Sequence, residues 1–187
     1  VAVGEQRAPR RQDGAKIDRM GGLMFAAGDE ALAVANVVRA ALLAPEQAEL
    51  AERAASMAFR VGDDESVAAV VQAARSAGSS NANMVAHLAA SCDRIGDVAR
   101  RRELIDELLG QGDLPVPVAR LIVSFLLEED QPALARTVIE AALEKAPDQA
   151  MLHYELGRAC LLLDETARAS VALQRALDIG LPDHIAG

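Results

Sequence analysis

The chain has 187 residues and a mass of 19.7 kDa, with 19 Lys and Arg against 28 Asp and Glu, a net charge of −9. Hydrophobic residues make up 51% and aromatics only 2%, a composition too apolar for intrinsic disorder and, with its wealth of Ala, Leu, Glu and Arg, one that favours helix. The acidic excess argues against a nucleic-acid partner, which needs a basic face, and against anionic membrane surfaces.

Residues 1–13 carry no hydrophobic periodicity and are expected to be a flexible segment. Arg7, Arg10 and Arg11 stand there among polar residues with no apolar run, so no signal peptide is visible in this stretch. No run approaches the roughly 18 apolar residues of a membrane span. The default expectation is a cytoplasmic protein, although the first residue is Val rather than Met and an earlier signal stays open.

From residue 14 onward a period of 34 takes over. Gly28, Gly62, Gly96, Asp130 and Asp164 form an unbroken column. Eight residues before it stand Met20, Ala54, Leu88, Ile122 and Leu156, and nine after it Val37, Val71, Ile105, Ile139 and Leu173. Five units follow, 14–47, 48–81, 82–115, 116–149 and 150–183, with 184–187 as a tail. Apolar spacings of three and four within each unit predict two helices. The last unit shows this in Leu156, Cys160 and Leu163, then Ala169, Leu173, Ala176 and Leu177.

The Gly/Asp column marks the turn between the two helices, because glycine can take the left-handed conformation that ends a helix. Asp29, Asp63 and Asp97 follow their glycines as N-caps. Gln131-Pro132 places Pro in the first turn of a second helix. Pro45 and Pro147 stop the second helices of the first and fourth units. Asp113-Leu114-Pro115, Leu181-Pro182 and Ser79-Ser80-Asn81 make the corresponding breaks in the other three.

These columns resemble the tetratricopeptide repeat (TPR) family over residues 14–183. The similarity is fullest in Leu156-Gly157, Ala169, Ala176-Leu177 and Pro182, and recurs in Met20-Gly21, Gly28, Ala33, Ala40 and Pro45, and in Ala135, Ile139, Ala142-Leu143 and Pro147. There are departures. The family's bulky first-helix aromatic is replaced by Ile17, Ala51, Val85, Ala119 and His153. Arg101 occupies a small-residue position, which puts the packing of the third unit in doubt. The resemblance implies an all-α fold, an α-solenoid of five helix-turn-helix hairpins in a right-handed superhelix. It implies first helices on a concave side that binds peptides or partner segments.

Register then assigns the groove. The first unit offers Asp18 and Phe25, the second Glu52, Ser56, Phe59 and Arg60, and the third Asn83, His87, Asp93 and Arg94. The fourth offers Arg120, Ser124 and Leu127, and the fifth Tyr154 and Arg158. Three of the four aromatics, Phe25, Phe59 and Tyr154, fall on this face, as interface anchors or as fillers beside small neighbours. Phe25 and Phe59 share a column and should stack as neighbours. Arg60, Arg94, Arg120 and Arg158 either receive carboxylates of a partner or pair with local acids such as Glu52 and Asp93. No register reproduces the Lys and Asn pattern with which some members of the family clamp a C-terminal carboxylate.

No catalytic residue, metal ligand set or cofactor site is expected. His-Glu-x-x-His, Cys-x-x-Cys and P-loop patterns are absent. His153 should pack between helices, His184 lies past the last unit, and His87, near Asp93, is the one groove histidine. Cys92 and Cys160 share a column two units apart, too far for a disulfide, which needs Cα atoms about 4.4–6.8 Å apart. They should be buried, reduced thiols. Solenoids close with a polar cap, but the fifth unit should expose Leu162 and Val171. Either the chain continues, or this end packs on a partner or on a second copy as a homodimer.

The expected function is a non-catalytic protein–protein interaction scaffold. The alternative is an accessory or oligomerising segment of a larger enzyme, such as a transferase, whose catalytic domain lies elsewhere.

Overall fold

The computed structural model describes residues 30–180, and within them all regular structure is α-helix. The elements are α1 (Glu30–Leu43), α2 (Ala48–Val61), α3 (Asp64–Ser76), α4 (Ala82–Arg94), α5 (Val98–Gly110), α6 (Val116–Glu128), α7 (Pro132–Lys145), α8 (Ala150–Leu162) and α9 (Thr166–Ile179). The first helices α2, α4, α6 and α8 start at 48, 82, 116 and 150, 34 residues apart. Expectations resting on Asp18, Met20, Phe25, Gly28, Asp29, Pro182 and His184 lie outside the described residues, as do those on segments 1–13 and 184–187.

The chain divides into two compact units, residues 1–110 and 111–187. In the first, α1 packs on α2 and α3, α2 on α3 and α4, α3 on α4, and α4 on α5. In the second, α6 packs on α7, α7 on α8 and α8 on α9, with α8 also touching α6. Such stacking buries apolar stripes that a lone hairpin leaves in water.

Local chemistry explains the boundaries. Gly62, Gly96, Asp130 and Asp164, the column between paired helices, all have positive φ, at 79°, 77°, 57° and 59°. Each ends a first helix in the left-handed conformation, which glycine adopts freely and aspartate more easily than most side chains. Asp63 and Asp97 then cap the second helices, their Oδ1 atoms accepting from the backbone N–H of Ser66 and Arg100 at 3.0 Å each. Asn81 does the same for α4 through Met84.

A second turn column ends the second helices and escaped the sequence reading. Gly78, Gly112 and Gly180 have φ of 72°, 76° and 101°. The position 34 before Gly180 is Ala146, held outside the helical region at φ −137° and ψ 71°, as the following Pro147 disfavours helix there.

The core of the first unit is built from valine and alanine. Val34, Val37, Val67, Val70, Val71 and Met84 enclose Ala51, Ala54, Ala55 and Ala58. Small side chains let helix axes approach closely. The second unit uses larger aliphatics, with Ile122, Ile139 and Leu152 fully buried. α8 and α9 meet closely at Gly157. A Cβ there would stand 2.5 Å from Leu173 Cγ of α9, so the Leu-Gly pair is a packing requirement.

Three side chains depart from expectation. Arg101 does not spoil the third hairpin: its side chain is buried, 7% exposed, and its guanidinium pairs with Asp93. The helix turn thus supplies a carboxylate where the repeat pattern has a small residue. His153 is half-buried rather than packed in the core, its Nε2 standing 2.7 Å from the carbonyl of Pro147. Leu177, placed by its spacing on the apolar stripe, is exposed, as Leu162 and Val171 are. No helix of the described residues is long and apolar enough to cross a membrane.

Candidate peptide-binding face

In the first unit the face is carried by α2 and α4. Their inner sides bury Leu50, Ala54 and Ala58, and Met84, Val85 and Cys92. Helical spacing therefore turns Glu52, Ser56 and Phe59, with Asn83 and His87, to the opposite side. There they are half-buried and largely satisfy one another. Glu52 accepts from Asn81 at 2.6 Å and from Asn83 at 2.8 Å. The Phe59 and His87 rings lie 5.4 Å apart. Arg94 covers the Phe59 ring at 4.4 Å, donates to its backbone carbonyl, and binds both carboxylate oxygens of Asp64.

The geometry sorts the sequence-derived candidates. Phe59 lies under a guanidinium, against a histidine and on the core cluster, so it fills a local gap as well as presenting an edge. Asp93 meets Arg101 rather than His87; the carboxylate that acts on His87 is Glu52. Burial pushes the His87 pKa down from its usual 6.5, and Glu52 opposes the shift. The hydrogen bond from Arg94 holds Asp64 below the usual carboxylate range. Arg60 is exposed.

The second unit presents α6 and α8. Arg120, Ser124 and Leu127 recur one repeat later as Tyr154, Arg158 and Leu161. Ser124 turns its hydroxyl inward to the Leu121 carbonyl at 2.7 Å. Tyr154 is half-buried. Between the helices lies Glu155, 7% exposed, with Arg120 Nε 3.6 Å from its Oε1 and no hydrogen bond to its Oε2. Burial raises its pKa above 4.5, while Arg120 and then Arg158 pull it down. Sequence reasoning passed over Glu155. The signal was an acid in a column where the preceding unit has Leu121.

Cys92 and Cys160, one in each unit, are buried free thiols, and burial raises the pKa of both. Among the described residues no three His, Cys, Asp or Glu side chains come together as a metal site.

Neither a protein-family model nor a curated protein matches the sequence. Solved structures do. The MamA protein superposes with a TM-score of 0.72 at 11% identity, over 90% of this chain and 92% of its own. YrrB, described as a TPR protein with an unusual peptide-binding site, gives 0.67 at 17% identity, over 97% and 95%. PilF of Pseudomonas aeruginosa gives 0.70 at 15%, over 94% and 80%. Repeat spacing, turn geometry and these superpositions together show that the chain has the all-α solenoid fold of tetratricopeptide-repeat proteins.

Proposed function

We propose that the protein is a non-catalytic interaction scaffold that takes a peptide or partner segment on the face of its first helices. One observation carries this reading: the face holds half-buried Glu52, Phe59, Asn83 and His87 in one unit and half-buried Arg120, Ser124 and Tyr154 in the other, with Arg60, Arg94 and Arg158 exposed beside them. Half-buried groups of this kind lose little solvation and little side-chain entropy when covered. YrrB, of the same fold, is described as having a peptide-binding site, which supports the reading. The division into five units at 14–47, 48–81, 82–115, 116–149 and 150–183 belongs to the same proposal.

The test is selection from a random-peptide phage library, with recovered peptides titrated calorimetrically. Binding should weaken about tenfold or more in Asn83→Ala or His87→Ala and stay unchanged in Gln72→Ala, which lies on the exposed side of α3. Equal weakening in all three variants, or no enrichment, refutes the proposal.

A second reading rests on a different observation. Leu162, Val171 and Leu177 of α8 and α9 are each more than half exposed, more apolar surface than a helix pair ordinarily shows water. Self-association through this end predicts a mass that rises with concentration in light scattering. A constant mass near 20 kDa, the chain's own 19.7 kDa, removes it.

A further inference from the structure

The arginines of the second unit are not equivalent. Arg136 pairs with Glu165, Arg168 with Glu140 and Glu165, Arg175 with Asp148, and Lys145 with Asp113. Arg120 faces Glu155. Among the described residues of this unit, Arg158 is the cation with no carboxylate in ion-pair range. It is exposed, on the face side of α8, and its charge is felt by the buried Glu155.

Two guanidinium groups against one carboxylate leave a local excess of one positive charge, in a chain whose net charge is −9. The Oε2 of Glu155 is out of water and has no hydrogen-bond donor, so the carboxylate leans on the two guanidinium charges beside it. One turn beyond Arg158 on the same face stands Leu161, 50% exposed, beside the column of half-buried Leu127.

We infer that Arg158, with Arg120 and Leu161, anchors an acidic side chain of an extended peptide whose residue two places away is a large aliphatic. The inference rests on the interaction-face reading and adds the chemical class of the partner. Arg158 and Leu161 are three residues apart on one side of α8, a rise of about 4.5 Å. Alternate residues of an extended strand are about 6.6 Å apart and point the same way, so an Asp/Glu-x-Leu pattern presents a carboxylate and an aliphatic together, and the long Arg158 side chain spans the difference of about 2 Å from the helix rise. The guanidinium fork receives the carboxylate and Leu161 covers the aliphatic.

The experiment is peptide selection on the wild-type protein from a random-peptide phage library, followed by titration of the enriched peptides and of their Asp→Asn or Glu→Gln forms. Enriched sequences should hold an acid two residues from Leu, Ile or Met. Arg158→Gln should weaken them about tenfold, and so should neutralising the peptide acid. The two changes together should cost no more than either alone, the signature of a direct pair. A thermal melt of Arg158→Gln superimposable on wild type shows that folding is not the cause. Enriched peptides that ignore Arg158→Gln but are lost with His87→Ala overturn this inference and leave the face reading standing. The absence of any enriched sequence overturns both.

Discussion

The first and second units carry one repeat pattern with opposite economies on the presented face. On α2 and α4 most of the charged and aromatic groups are committed to each other, Glu52 to Asn81 and Asn83, Arg94 to Asp64 and Phe59, while Arg60 stays exposed. On α6 and α8 they are not: Arg158 has no carboxylate in range, Glu155 keeps an oxygen without a donor, and Leu161 is half exposed. A column position therefore does not define a binding residue. Arg94 and Arg158 were equal candidates by register. The nearest acid, one hairpin earlier, decides that the first is a brace and leaves the second open.

The strongest way to break this contrast is at the helix contact beneath α8. Gly157→Ala drives a methyl to 2.5 Å from Leu173 and should cost about 1–3 kcal/mol as overpacking. Hydrogen exchange should show the loss in 111–180 and leave 30–110 protected. Equal loss in both would contradict the division into two units.

The arginine contrast comes next. Arg94→Ala removes a two-point carboxylate bond and a stacked ring contact, and should cost about 1 kcal/mol in denaturant unfolding, since the pair is partly solvent-screened. Arg158→Ala should stay within about 0.5 kcal/mol of wild type. If Arg158→Ala is the more damaging, the assignment of an open cation is wrong.

Two groups, one in each unit, should respond oppositely to acid. His87 has a lowered pKa, so the folded state holds fewer protons than the unfolded chain, and stability contributed by the neutral ring is lost as pH falls below 6.5. Glu155 has a raised pKa, so the folded state holds more, and its contribution improves as pH falls toward 4.5. His87→Gln should flatten the first slope and Glu155→Gln the second in pH-dependent melts. Unchanged slopes would show that neither group is set by its burial.

The smallest effect lies in the turns. The first unit uses Gly62 and Gly96 where the second uses Asp130 and Asp164. Gly62→Ala or Gly96→Ala meets no atom within 4 Å, so its cost, about 1 kcal/mol, is purely conformational. Asp130→Gly and Asp164→Gly should gain at most about 0.5 kcal/mol, the relief being offset by a freer unfolded chain. Calorimetry on the four variants measures both signs.

Much of the fold was legible because repeats write the same local rule several times. The Gly/Asp column, the Asp63 and Asp97 caps and the Pro132 helix start depend on backbone geometry within a few residues. Linear spacing carries such information without loss. The Gly78, Gly112 and Gly180 column was equally local. It was hidden because Ala44-Pro45 and Ala146-Pro147 replace the glycine in two units. The candidate face was legible only as a list of positions. Register names Asn83, His87 and Arg158 as candidates, yet it is silent on what each one touches.

What the sequence determined by itself was the period, the helix pairs, their turns and the side of each helix that faces the core, all consequences of 34-residue spacing and short-range stereochemistry. Tertiary structure alone decided the pairings between residues some thirty positions apart: Arg94 with Asp64, Asn83 with Glu52, Arg120 with Glu155. It also decided that Arg101 could be buried and that Glu155 would be left short of a donor. Those outcomes depend on the reach of side chains across the gap between packed helices, a distance that no one-dimensional pattern contains.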